Sequence, residues 1–242
     1  PASSLIESGQ RLQEMRSEME RVEDVMEYPT DPLFEETCAG PAENRQKLSG
    51  DISLRGVSFG YSRLEKPLIQ DFDLMVKAGS KVAIVGPSGC GKSTAAKLIS
   101  GLYQPWSGEI LFDGKPVSEI DRGAFTGSLA VVNQEITLFE DTIAGNIRLW
   151  DDSIDDFEVI RAARDAQLHE DIMQREGGYQ YRVHEGGKDF SGGQRQCMEI
   201  ARMLAQDPTI IVMDEATSAL DARTERDVID AVMARGITCI MV

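Results

Sequence analysis

Residues 4–28 contain Leu5, Leu12, Met15, Met19, Val22 and Met26, separated by 7, 3, 4, 3 and 4 on a background of Glu, Arg and Gln. Steps of three and four keep one seam on a helix, and a seam this narrow predicts packing on a partner or on the domain behind it. From Tyr28 to Gly50 the period dissolves into Pro29, Pro32, Gly40 and Pro41 among acidic and polar residues, the composition of a linker. Residues 52–61, 68–76 and 81–85 then read as strands, the first alternating apolar and polar positions like a half-exposed antiparallel strand. A helical pattern over 95–99, a strand over 109–112 before an Asp113-Gly114 turn, and a strand over 129–132 follow.

Between residues 140 and 180 the period becomes helical, with Ile143, Ile147, Phe157, Ile160, Ala163, Leu168 and Ile172 as expected buried positions. Asp151, Asp152, Asp155, Asp156 and Glu158 crowd one helix start, where carboxylates favour the positive end of the dipole; no calcium-loop spacing accompanies them. A helix running through Met203 opens at FSGGQRQ, residues 190–196. The wholly apolar run 210–213 fits a central parallel strand covered on both faces. A helix over 222–233 and a strand over 237–242 follow.

At 242 residues the chain can bury a large core, and 41% apolar with 27% charged residues is ordinary for a water-soluble globular piece. A formal charge of −16, from 41 acidic against 25 basic residues, argues against a nucleic-acid surface and against adsorption to anionic lipid. Cys38, Cys90, Cys197 and Cys239 are scattered, and one lies inside a glycine-rich loop, which points to a reducing cytosolic compartment. No run of about 18 apolar residues and no signal-peptide pattern occurs.

The strongest chemical signal is GPSGCGKST: Gly86, Pro87, Ser88, Gly89, Cys90, Gly91, Lys92, Ser93 and Thr94. A strand that turns through glycines into a helix directs successive amides at one point, with the helix dipole behind them. That point suits a phosphate chain, with Lys92 as a charge for the β- and γ-phosphates and Ser93 as a magnesium ligand. Asp214 and Glu215, ending the buried strand, divide the remaining labour: Asp214 holds the metal and Glu215 acts as general base on water. Gln134 ends another strand on the same side, where an amide reaches metal and attacking water. Tyr61 offers a ring for adenine, or fills an ordinary turn position. Ser191, Gly192, Gly193 and Gln194 open a helix and form a second anion site. Either the two sites converge within one chain, or each completes a site on another copy.

From residue 51 to 242 the sequence resembles the ATP-binding cassette (ABC) family. GPSGCGKST is similar to its Walker A loop, Gln134 to its Q-loop, FSGGQ to its signature, residues 210–215 to its Walker B strand with catalytic glutamate, and residues 218–221 to its D-loop. The resemblance implies an α/β P-loop NTPase fold: a RecA-like mixed core sheet, an antiparallel β-subdomain, and an inserted α-helical subdomain at about 140–205. It also implies an ATPase using ATP and Mg2+, assembled as a head-to-tail homodimer. ATP then lies between the Walker A of one copy and the signature of the other, with Ser191 and Gly193 on the γ-phosphate and Asp221 lining the interface.

The stretch after Gln134 and VHEGG, residues 183–187, resemble the exporter branch, in which the latter touches the membrane domain. Residues 1–50 are then expected to be the end of a transmembrane-domain helix and its linker, and residues 51–242 the nucleotide-binding domain. The location implied is the cytoplasmic face of a membrane, within a transporter whose cargo is a peptide or bacteriocin; a multidrug or lipid exporter domain, or a soluble ABC ATPase, is the alternative. Phe190 stands where leucine is commoner, and Cys197 and Met198 replace a basic residue and leucine. The family's switch histidine belongs just after the last strand; His169 and His184 lie elsewhere, so ATP binding with weak turnover is expected of residues 1–242 alone.

Overall fold

The structure, a computed structural model, describes residues 2–27, 46–132 and 136–242. Backbone proximity divides the chain into two compact units, Pro1–Gly40 and Pro41–Val242. The first contains one helix, α1 (Ala2–Glu27), with Arg16 and Glu20 paired one turn apart. The seam residues Leu12, Met15, Met19, Val22 and Met26 are all exposed. The linker expected over 28–50 falls largely outside the described residues.

The second unit begins with an antiparallel sheet. Strand β1 (Ile52–Phe59) pairs with β2 (Ile69–Val76) on one side and β4 (Ser107–Phe112) on the other, and β4 pairs with the short β5 (Lys115–Pro116). Asp113 and Gly114 both have positive φ, 49° and 77°, as a two-residue hairpin that follows strand twist requires. On β1 the alternation is realised by burying Ile52, Leu54, Val57 and Phe59, with a register shift near Gly56.

Between these strands the chain passes through β3 (Lys81–Ala83) and helix α2 (Lys92–Ile99), and after them through α3 (Arg122–Ser128) and β6 (Leu129–Val132). The helical part comprises α4 (Ile143–Arg148), α5 (Asp156–Asp165), α6 (His169–Met173) and α7 (Gly192–Ala205). Strand β7 (Ile210–Met213), helix α8 (Ala222–Ala234) and strand β8 (Thr238–Met241) complete the described fold.

The second sheet has the order β3-β8-β7-β6, and each of its three pairings is parallel. Ala83 aligns with Met241, Met241 with Met213, and Met213 with Val132. The residues that follow these strands therefore emerge along one edge, the place where open α/β sheets bind ligands. All four residues of β7 are buried, and with period two they feed different cores. Ile210 and Val212 join β1, β2, β4, α2 and α3, whereas Ile211 and Met213 join the helical part.

Several elements differ from the sequence reading at their ends: β1 stops at Phe59, β3 at Ala83 and β8 at Met241, while α2 starts at Lys92 and β4 at Ser107. Phe157 is not buried but 69% exposed. The buried face of α5 runs through Val159, Ala162 and Ala163, and a residue two before Val159 does not share its side of a helix. Three carboxylates of the acidic cluster serve local structure. Asp155 caps α5 by accepting from the Glu158 amide at 2.8 Å, Asp156 pairs with Arg148, and Asp151 accepts from the Ser153 amide and hydroxyl.

Candidate functional site

The glycine-rich segment joins β3 to α2. Gly91, the residue before α2, has φ 96°, a conformation that residues with side chains rarely adopt, and a Cβ there would lie 3.2 Å from Ile69 Cγ1, so the backbone conformation calls for glycine. No side chain caps α2. Its first amides, which have no partner within the helix, are thus open to an anion, and the dipole reinforces the preference. Lys92 Nζ donates to the carbonyls of Gly86 and Pro87, each at 3.0 Å, and so curls over the loop. A triphosphate offers that ammonium charged acceptors, which bind more strongly than neutral carbonyls. Gly86, Pro87, Ser88, Gly89 and Cys90 are exposed, while Thr94 is buried.

Beside the loop stands the end of β7. The Asp214 amide donates to the Val132 carbonyl at 3.0 Å, extending the ladder by one bond. Ser93 donates its hydroxyl to Asp214 Oδ1 at 3.0 Å. A hydroxyl and a carboxylate at one point are oxygen donors of the kind magnesium takes, so the pair fits that ion. Glu215 adopts φ 53°, uncommon for a residue with a side chain, and the chain leaves the strand there with Glu215 exposed. Its amide donates to the Val242 carbonyl at 3.2 Å.

Tyr61 flanks the same helix. Its hydroxyl lies 2.9 Å from Thr94 Oγ1, and its ring meets Phe59 and Tyr103 edge-on at 5.5 and 5.7 Å. At 61% exposure the ring keeps an open face. Gln134 lies outside the described residues.

The second group of predicted residues gathers at the start of α7. Ser191 and Gln194 form a reciprocal cap: Ser191 Oγ accepts from the Gln194 amide at 3.2 Å, and Gln194 Oε1 accepts from the Ser191 amide at 3.1 Å. The amides of Gly192 and Gly193 are outside that exchange. Gly193 packs on the segment that follows β7, since a Cβ there would sit 3.2 Å from the Ala219 carbonyl. Asp221 caps α8, accepting from the amides of Arg223 and Thr224 and the Thr224 hydroxyl. The Thr224 hydroxyl, first, and then its amide hold the Asp221 carboxyl below the usual carboxylate range.

Three further residues tie these pieces together and were assigned no role from the sequence. Gln196, 4% exposed on α7, donates to the Ser218 hydroxyl at 3.2 Å and accepts from the Ala219 amide at 2.8 Å. Arg202, 3% exposed, donates to the Asn146 carbonyl and side chain, the Thr137 carbonyl and Glu199. Arg175, the third, pairs with Asp189 just before Ser191. A buried polar residue on an otherwise apolar helix face was the one available hint for Gln196 and Arg202.

Residues 69–218 match the family described as ABC transporter. The chain belongs to the ABC transporter family. Among its ABC relatives, "Iron-sulfur clusters transporter atm1, mitochondrial" of Neurospora crassa is 40% identical over 185 residues, covering 76% of this chain and 26% of the relative. The "ATM1-type heavy metal exporter" of Novosphingobium aromaticivorans is 42% identical over 183 residues, 76% of this chain and 30% of the relative. "ABC multidrug transporter atrD" of Emericella nidulans is 42% identical over 206 residues, 83% of this chain and 15% of the relative. A solved structure, "Structure of a bacterial Atm1-family ABC exporter with ATP bound", superposes with TM-score 0.78 at 37% identity, covering 96% of this chain and 39% of that one. The chain thus spans less than a third of these curated relatives. It is an ABC ATPase domain with the P-loop NTPase fold, and no helix among the described residues is long and apolar enough to cross a membrane.

Proposed function

We propose that this domain is the motor of an ABC exporter, coupling ATP binding and hydrolysis to closure and reopening of a head-to-tail dimer. The observation that carries the reading is the 3.0 Å bond between Ser93 and Asp214, which brings the phosphate loop and the buried strand end to one point. Gly86 to Thr94 cradle the triphosphate, Tyr61 stacks on adenine, and Ser93, Gln134 and Asp214 hold magnesium, which neutralises charge on the phosphates. Glu215 accepts the proton of the attacking water, Lys92 balances charge on the phosphoryl group in transfer, and Gln134 orients the water. Ser191, Gly192, Gly193 and Gln194 of a second copy close over the γ-phosphate, with Asp221 at the interface.

The remaining partner is a transmembrane domain, contacted through residues 183–187, which sets the domain on the cytoplasmic face of a membrane. The relatives are named for iron–sulfur clusters, heavy metals and multidrug transport. Peptide cargo draws no support from these names, and a small-molecule cargo of the multidrug kind is the reading adopted.

Glu215→Gln tests the motor. It is expected to keep ATP affinity, abolish phosphate release and populate an ATP-dependent dimer detected by light scattering. A variant that hydrolyses ATP at the parental rate removes Glu215 as the base.

A further inference from the structure

Arg175 belongs to no motif, yet its guanidinium stacks on two rings and donates twice to Asp189 at the entrance to the signature. Its central carbon sits 3.8 Å from the Phe190 ring centroid and 5.0 Å from that of Tyr181. Nη1 donates to the Asp189 carboxylate at 3.1 Å and Nη2 to the Asp189 carbonyl at 3.0 Å. A planar fork that stacks and donates in two directions is a property of arginine that lysine lacks. The two side chains are only 17% and 21% exposed, and the second carboxylate oxygen of Asp189 is buried with no hydrogen-bond partner, so Arg175 compensates a largely desolvated charge.

The neighbouring helix reaches the other side of Ser191. Asp171, on α6, accepts from Gln194 Nε2 at 2.8 Å, and Gln194 closes the cap on Ser191. Residues 171–175 therefore grip the chain both before and after the signature serine. An aliphatic side chain at position 190 would offer no π face. Phe190 and Arg175 thus form a matched pair.

We propose that Arg175 is a positioning residue for the signature: by clamping Asp189 and Phe190 it sets the direction in which Ser191 and the amides of Gly192 and Gly193 meet the γ-phosphate held by a second copy. The proposal rests on the head-to-tail reading above. Arg175 touches no nucleotide in that arrangement, so binding to a chain's own phosphate loop and completion of the site in trans separate.

The test uses the Glu215→Gln chain and two readouts: binding of a fluorescent ATP analogue to dilute monomer, and ATP-dependent dimerisation by light scattering. Arg175→Gln is expected to leave the first unchanged and to weaken dimerisation about tenfold, the order that a partly desolvated cation–π contact carries with its ion pair. Phe190→Leu removes only the π face while keeping an apolar side chain, and is expected to give a smaller loss. The double variant is expected to be less impaired than the two single losses multiplied, because both remove one contact. Parental dimerisation in Arg175→Gln overturns the proposal. So does a fall in melting temperature and own-site affinity in step with dimerisation, which marks a merely structural role. If Arg175→Gln does not fold, parental dimerisation in Phe190→Leu overturns it alone. A Glu215→Gln chain that does not dimerise with ATP removes the head-to-tail reading itself, and this proposal with it.

Discussion

Replacing Tyr61 by phenylalanine isolates a single bond. Its hydroxyl lies 2.9 Å from Oγ1 of Thr94, a residue only 5% exposed within α2. The edge-on contacts with Phe59 and Tyr103 use the ring alone and survive the change. A neutral hydrogen bond contributes about 1 kcal/mol net, a factor of about five in an equilibrium constant. Stacking of a base on an aromatic ring contributes roughly 1–3 kcal/mol. If the ring is the adenine platform and the hydroxyl its tether, Tyr61→Phe weakens ATP binding by about fivefold or less, and Tyr61→Ala by roughly thirtyfold or more. Displacement of a fluorescent nucleotide measures both. Tyr61→Phe combined with Thr94→Val should bind ATP no more weakly than Thr94→Val alone, since the two residues share the bond. Inorganic triphosphate, which has no base, should bind Tyr61→Ala and Tyr61→Phe equally. The reasoning fails if Tyr61→Phe is as weak as Tyr61→Ala, or if triphosphate loses affinity as ATP does.

Gly108→Ala should cost roughly 3 kcal/mol or more in urea unfolding, because φ is 84° and the new Cβ would lie 2.4 Å from the Gly56 carbonyl oxygen; a loss below about 0.5 kcal/mol refutes the clash. Asp113 is partly desolvated, which alone would raise its carboxyl, yet it accepts from the Ser49 hydroxyl and from the amides of Ser49, Gly50 and Asp51, and the net effect holds it below its ordinary 3.8. The stability this supplies is complete above pH 3.8 and disappears as pH falls through the lower folded value. Asp113→Asn should therefore lower the melting temperature at pH 7 and reduce its dependence on pH in that acid range, and an unchanged acid profile counts against it. Burial pushes the Cys197 and Cys239 thiols up to about 11; Asp171 and Asp221 add to the first, and Lys81 opposes the second. Cys90 is exposed. With Cys38 replaced by serine, a thiol reagent at pH 8 should modify Cys90 alone in the native chain and more slowly with ATP present, whereas rapid labelling of Cys197 or Cys239 would contradict their burial.

Much of the α/β architecture was legible in the chain because its signals are local. Alternation over 52–59, the Asp113-Gly114 turn and the apolar run 210–213 each follow from side-chain period or from φ preferences of a few residues. Strand ends were less legible, since they depend on where a partner strand stops and not on composition. Phe157 was misread for a related reason: the period of α5 is anchored by Val159, Ala162 and Ala163, and one large apolar residue off that face looks the same in sequence as one on it.

By itself the sequence determined the glycine-rich turn into α2, the acidic pair at a strand end and the glycine-opened helix, because each needs particular residue types at fixed spacing. Tertiary structure alone decided what lies beside what. Parallel register places Asp214 against Ser93, 121 positions apart in the chain, while the turn after α6 sets Arg175 against Phe190 and α6 itself brings Asp171 to Gln194. Such pairs leave no periodic trace, since the distance between them in sequence is set by every element folded in between.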